Sequence, residues 1–264
     1  MKKDNVPKSA AKSVKKYINK GIELFEKGNY RDAITNFDEA IHIDSTLAEA
    51  YCTRGLVKSK IGEYFEAISD LDEAIRIDPN NVDAYNYRGL AKALLERYFE
   101  AISDFDEAIR IAPRNADAYE NRGMVKGHLG HPESAIPDFD EAIRLEPEFI
   151  DAYSNRALAK KQIGQHFEAI SDLNMVIRLE PNSHQAYNER GVAKARLDHP
   201  KAAVPDFNEA IRLNPNYAAA YFNRGLAKKE VGLATEANQD IQKALSLAEE
   251  TENEKLIARI KKEI

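Results

Sequence analysis

The 264-residue chain has no tryptophan and a single cysteine, Cys52. It also has no apolar run near the ~20 residues that a membrane span requires. One cysteine excludes an internal disulfide and a cysteine zinc site, and it fits a reducing, cytoplasmic setting. Lys and Arg are dispersed rather than gathered into a stripe, and the net charge is −6, so the electrostatic footprint of a nucleic-acid binder is absent. The lysines of Met1-Lys2-Lys3-Asp4-Asn5-Val6-Pro7-Lys8 precede no apolar core, which argues against a secretory signal. There is no Gly-rich phosphate loop, no HExxH and no nucleophile elbow. His128 and His131 are three apart, but one falls near a helix end, the other in a turn, and no further ligand is near them in sequence. Carboxylates such as those of Asp104-Phe105-Asp106-Glu107 recur in every copy of a repeat, whereas an active site is needed once. The expectation is no enzyme, no cofactor, and no nucleic-acid or membrane partner.

What the chain does have is a period. Tyr17, Tyr51, Tyr85, Tyr119, Tyr153, Tyr187 and Tyr221 stand 34 residues apart. Four residues after each comes a glycine, at Gly21, Gly55, Gly89, Gly123, Gly191 and Gly225, with Ala157 as the one exception. A fixed period of roughly 20–50 residues marks a stacked array in which each copy buries its apolar face against its neighbours. The reading is a lead-in over 1–13, seven repeats over 14–47, 48–81, 82–115, 116–149, 150–183, 184–217 and 218–251, and a capping helix over 252–264.

Each repeat reads as two helices. Tyr85, Gly89 and Lys92 share one face of a first helix; Ala101, Phe105 and Ala108 repeat the spacing on a second. Gly28, Gly62, Gly130, Gly164 and Gly232 suit a left-handed turn between them, and Glu96 and Asp198 take that place in the other two repeats. Pro79, Pro113, Pro147, Pro181 and Pro215 end the second helices. Asn81, Asn115 and Ser183 are placed to cap the next helix. Small residues such as Gly89, Ala101 and Ala108 let two backbones approach, and enlarging one should overpack the contact by ~1–3 kcal/mol. In the fifth repeat Ala157 and Val176 are larger than their counterparts, so that helix pair should sit slightly wider apart. Pro137 and Pro205 lie well inside second helices, where a kink or a late helix start is expected.

This pattern resembles the tetratricopeptide repeat family over residues 14–251, with Tyr in place of the family's usual Trp. The resemblance implies an all-α, right-handed α-α superhelical solenoid of seven helix-turn-helix repeats whose first helices line a concave groove. It implies a non-enzymatic interaction scaffold with a protein or peptide partner held in that groove. Groove positions by family topology give Asn86, Tyr87, Leu90, Asn121, Met124, Asn155, Leu158, Glu189, Val192, Phe222, Asn223 and Leu226. Asn can both donate to and accept from a peptide backbone, and the Leu, Met and Val residues would form an apolar floor. Glu49, Asp83, Asp117 and Asp151 at the second position either favour basic ligand side chains or serve the helix dipole. The clamp by which co-chaperone members hold a C-terminal carboxylate is absent, because the ninth position is apolar in all seven repeats and no fifth position is Lys.

Three further features qualify the regularity. Arg54, Arg88, Arg122, Arg156, Arg190 and Arg224 recur with Asp70, Asp104, Asp138, Asp172, Asp206 and Asp240, while the first repeat has Lys20 and Asn36. Matched in this way, they predict an Arg–Asp ladder holding each helix pair in register. Ile18, Ile22 and Phe25 form an apolar row on the first helix, which opens the alternative of a self-assembling homo-oligomer; the rival is that Val6, Val14 and the leader cover it. Leu256, Ile257, Ile260 and Ile264 form the stripe of the capping helix.

Overall fold

The computed structural model describes residues 8–264, and among the described residues there are fifteen helices and no strand. The chain divides into two bodies, one ending at His131 and the other spanning Pro132–Ile264. The first holds α1 (Lys8–Glu26), α2 (Tyr30–Ile43), α3 (Ala48–Lys60), α4 (Tyr64–Ile77), α5 (Val82–Leu94), α6 (Tyr98–Ile111) and α7 (Ala116–His128). The second holds α8 (Pro132–Leu145), α9 (Ile150–Gln162), α10 (His166–Leu179), α11 (His184–Ala195), α12 (Pro200–Leu213), α13 (Ala218–Glu230), α14 (Ala234–Glu250) and α15 (Glu254–Ile260). Within each body sequential helices pack in hairpins, and each hairpin packs on the next. In the first body α3 also touches α5, and α5 touches α7, so the first helices form one continuous row.

Local chemistry sets the helix ends. The five turn glycines have φ between 77 and 83°, and Glu96 and Asp198 adopt the same left-handed conformation at 58°. The residue before each terminal proline is pushed out of the helical region, as at Asp78 (ψ 94°) and Asn214 (ψ 94°). Asn81 and Asn115 accept hydrogen bonds from the amides of Ala84 and Ala118 at 2.9 and 2.8 Å. Ser183 occupies the corresponding place but makes no side-chain cap bond, which corrects one of the three expected caps.

The hairpins close tightly at the eighth position. A methyl on Gly89 would lie 2.6 Å from the Phe105 ring, and one on Gly191 would lie 2.6 Å from the Phe207 ring. In the fifth repeat Ala157 packs on Leu173 and Val176 instead. Pro137 and Pro205 do not delay their helices. α8 and α12 begin at Pro132 and Pro200 and run 14 residues, as long as α4 and α6. At the sixth helical position a proline removes a single ladder bond, and the buried Ala135–Phe139 and Ala203–Phe207 pairs hold the following turn in register.

The Arg–Asp ladder is present and is wider than the sequence pairing suggested. Arg88 donates through Nε and Nη2 to both oxygens of Asp104 (3.1 and 2.5 Å) and through Nη1 to Asp72 of the preceding repeat at 2.6 Å. Lys92 donates to the same Asp104 at 2.7 Å. The arginine also lies over the ring of Tyr85, 5.4 Å from its centroid. The same arrangement recurs at Arg54, Arg156, Arg190 and Arg224, except that Arg190 and Arg224 reach neutral Asn174 and Asn208 in the preceding repeat. Burial works against the charge of Arg88, but its bonds to Asp104 and Asp72 hold its pKa above the ordinary guanidinium value. A carboxylate as buried as Asp104 needs two cations around it, so truncating it strands both Arg88 and Lys92. The first repeat lacks the lattice. Lys20 pairs with exposed Glu23, and Asn36 bonds the backbone of Asp32.

At the N-terminus α1 begins at Lys8, inside the stretch read as a lead-in. Val14 and Ile18 pack against Ala40 and Ala50 with Leu47 beside them, while Val6 lies outside the described residues. At the other end α15 covers the last hairpin. Leu256, Ile257 and Ile260 join Phe222, Ile241, Ala244 and Ala248 in one cluster. Ile264, the fourth member of the expected stripe, lies beyond α15 and is exposed.

Candidate functional site

In the first body the row of first helices bounds a cleft of about 470 Å³. Leu56 of α3, Tyr87 and Leu90 of α5, and Met124 of α7 form its floor. Each is partly buried, because its neighbours on the second helices cover one side and leave the other open. Leu94, an exposed apolar residue at the end of α5, stands at the lip with Tyr98 and His128. His128 stacks on Tyr98 (centroids 6.2 Å apart) and its Nδ1 lies 2.9 Å from the carbonyl of Met124. A neighbouring hollow is lined by Ile22 and Phe25 of α1 together with Cys52, Leu56 and Tyr87. Tyr87, Leu90 and Met124 are therefore brought together as expected from the repeat register.

Other expected residues fall elsewhere. Asn86 is buried, and its amide faces Asn115 at 3.4 Å rather than the open cleft. The fifth position packs between repeats at six of its seven occurrences, as Ile18, Cys52, Glu120, Asn188 and Phe222 are buried there as well, and only Ser154 is partly exposed. Ile18 thus drops out of the apolar row, while Ile22 and Phe25 become one end of the groove floor. Asn121 is partly exposed on α7, and Asn155 on α9.

The second body treats the same face differently. Phe222, expected to offer aromatic surface, is only 2% exposed, because α15 lies over it and Arg259 stacks 5.3 Å from its ring centroid. Glu189 is taken by Lys161 and by Asn188. Asn223 donates to Asn188 at 2.9 Å. Leu158 is half-exposed, and Val192 and Leu226 are partly buried.

The hollow beside the first-body cleft is acidic, lined by Glu26, Glu49 and Asp83 along with the shared Leu56 and Tyr87. Glu49, Asp83 and Asp117 stand at the second position of α3, α5 and α7, all exposed. Burial, then Asp83 and Glu49, push the Cys52 thiol up to about 12, so it stays protonated and poorly nucleophilic. Burial, then Asp83, Cys52 and Asp117, also raise the phenol of Tyr87. Asp83 and Asp117 therefore lie within electrostatic reach of Tyr87, a feature that their position in the repeat alone could not separate from helix-dipole compensation. A second surface feature was not singled out from sequence: Phe65, Phe99 and Phe167, at equivalent places early in second helices, are exposed at 69, 78 and 68%.

No helix among the described residues is long and apolar enough to cross a membrane. No curated protein matches the chain. Solved structures do. YrrB, described as a TPR protein with an unusual peptide-binding site, is 26% identical, with 70% of this chain covered, 95% of that one and a TM-score of 0.59. A tetratricopeptide repeat protein from Parabacteroides merdae is 20% identical over 94% of this chain and 97% of that one, with a TM-score of 0.68. Pseudomonas aeruginosa pilF is 20% identical over 81% and 97%, with a TM-score of 0.71. Family models described as TPR repeat match residues 21–62 and 60–96, and models described as tetratricopeptide repeat match 82–115, 116–149, 184–217 and 218–251. Repeats of this kind support a protein–protein interaction scaffold. With matched spans over most of its length and all-helical hairpins of 34-residue period, the chain belongs to the tetratricopeptide repeat family.

Proposed function

We propose that the chain is a non-enzymatic scaffold that holds a peptide segment of a partner protein in the groove of its first body. The observation that carries this reading is the cleft over Leu56, Tyr87, Leu90 and Met124, an apolar floor left open between packed first helices. Its size lies within the ~300–1,000 Å³ typical of ligand pockets. A partner's apolar side chain entering it removes area from water at both surfaces, which stabilises the complex by ~25 cal/mol per Å² before ordering costs. YrrB, at 26% identity, lends support as a protein of the same repeat with a peptide-binding site.

Leu90→Glu tests the reading. The side chain is partly exposed, so the fold tolerates the change while the floor acquires a charge. A partner retained on immobilised wild-type protein should be lost from the variant, with the thermal melt by circular dichroism within a few degrees of wild type. Retention of the same partner by Leu90→Glu would remove the groove from the account.

A further inference from the structure

Resting on the groove reading above, we propose that the first body selects a segment in which Lys or Arg side chains flank an aliphatic or aromatic anchor. The anchor would sit over Leu56, Leu90 and Met124, and the cations would face Glu49, Asp83 and Asp117.

Three observations point this way. The floor is apolar, so whatever fills it must bring an apolar side chain. Glu49 and Asp83 line the adjoining hollow, which shares Leu56 and Tyr87 with that floor, Asp117 is their equivalent on α7, and among the described residues none of the three makes an ion pair with the protein itself. Asp38, Asp72 and Asp106, their counterparts on the second helices, are all engaged by Arg54, Arg88 and Arg122. The protein has neutralised the carboxylates on one face and left this row to the solvent. Finally, the opposing cations are few. The hollow over Ile22, Phe25 and Leu56 is lined by Glu26, Glu49 and Asp83 and by no Lys or Arg, whereas the main cleft sets Lys60 against Glu96. A low-dielectric apolar wall beneath a row of like charges focuses their field outward, which attracts ligand charge of opposite sign and repels acidic segments.

Helix-dipole compensation would also place an acid at each helix start, but it makes no claim on what a ligand carries. The test separates the two. A displayed library of random dodecapeptides is selected on the full chain, and enriched peptides are measured by fluorescence anisotropy at ~0.05 M and ~0.5 M salt. The expected result is enrichment of Lys or Arg on either side of Leu, Ile, Phe, Tyr, Trp or Met. Asp83→Asn combined with Asp117→Asn should weaken such a peptide about tenfold at low salt and much less at high salt. Asp83→Lys with Asp117→Lys should turn the preference toward acidic flanks. Peptides that Leu90→Glu releases but both Asp83/Asp117 variants bind unchanged would overturn the charge selection and leave the groove standing. Enrichment of acidic or uncharged flanks would overturn it equally. Failure to enrich any peptide sensitive to Leu90→Glu would remove the groove reading itself.

Discussion

The two bodies use one repeat to different ends. In the first, the face made by α3, α5 and α7 keeps an apolar floor open, and Glu49 and Asp83 line the hollow next to it. In the second, the corresponding face is knitted by Lys161, Glu189, Asn188 and Asn223, and its last aromatic, Phe222, is sealed under α15. The lattice beneath differs too. Arg54, Arg88 and Arg122 reach carboxylates in the preceding repeat, and in the second body Arg156 still reaches Asp140, but Arg190 and Arg224 reach the amide oxygens of Asn174 and Asn208. The lesson is that the shared scaffold lies in residues each repeat must keep to pack, and specialisation lies in the few positions that packing leaves free.

The largest expected effect tests what the bodies share. Asp104→Ala in the first body should destabilise by ~3–5 kcal/mol in urea unfolding, and Asp206→Ala in the second by somewhat less, because each removes a buried carboxylate from a partly buried Arg and its Lys, and Lys194 is the more exposed lysine. A loss under ~1 kcal/mol in either would mean that the lattice is no support there. The next tests what closes the second body. Ile260 is fully buried in α15, and Ile260→Ala should cost ~2–4 kcal/mol of local stability. Hydrogen exchange should then rise across α15 and the residues around Phe222 while the first body stays protected; uniform protection would show that α15 is not what seals that face.

A pH effect at the second body's last hairpin is smaller. Burial alone would raise the carboxyl of Asp240, but hydrogen bonds from Arg224 and Lys228 outweigh it and hold it below the ordinary carboxylate range. A carboxyl depressed by folding stabilises fully above its unfolded value, about pH 4, and that contribution fades as pH falls through the lower folded value. Protection of α13 and α14 amides should thus fall on acidification below about pH 4, and Asp240→Asn should flatten that dependence. An equal slope in the variant would assign the acid sensitivity to other groups. The smallest effect compares one turn in each body. Glu96→Gly and Asp198→Gly relieve left-handed backbone carried by a side chain, and each should raise stability by ~1 kcal/mol in thermal melts. Lower melting points would show that those side chains support the turn.

Much of the fold could be read before the structure because its determinants are local or recur. The 34-residue period anticipated the hairpins within each body, and the turn glycines, Glu96 and Asp198 announced the left-handed positions that they occupy. Recurrence also exposed the Arg–Asp pairs, since six matched substitutions cannot be independent. The same signal, read further, would have found Lys58, Lys92, Lys160, Lys194 and Lys228, which stand four residues after their arginines and complete the lattice. Pro137 and Pro205 misled because a local helix penalty of ~3 kcal/mol is offset by the combined burial of Ala135, Phe139 and Ala142 in one helix and of Ala203, Phe207 and Ala210 in the other.

The candidate site was legible only in part. Sequence by itself determined that Tyr87, Leu90 and Met124 share a helix face, because position within a repeat fixes direction around a helix. Whether that face is open is a matter of neighbours. Asn86 and Ile18 are buried because the next repeat lies over the fifth position, and Phe222 is buried because α15 folds back onto α13. Only the tertiary structure could decide these, since exposure depends on what packs against a surface and not on the residue that presents it.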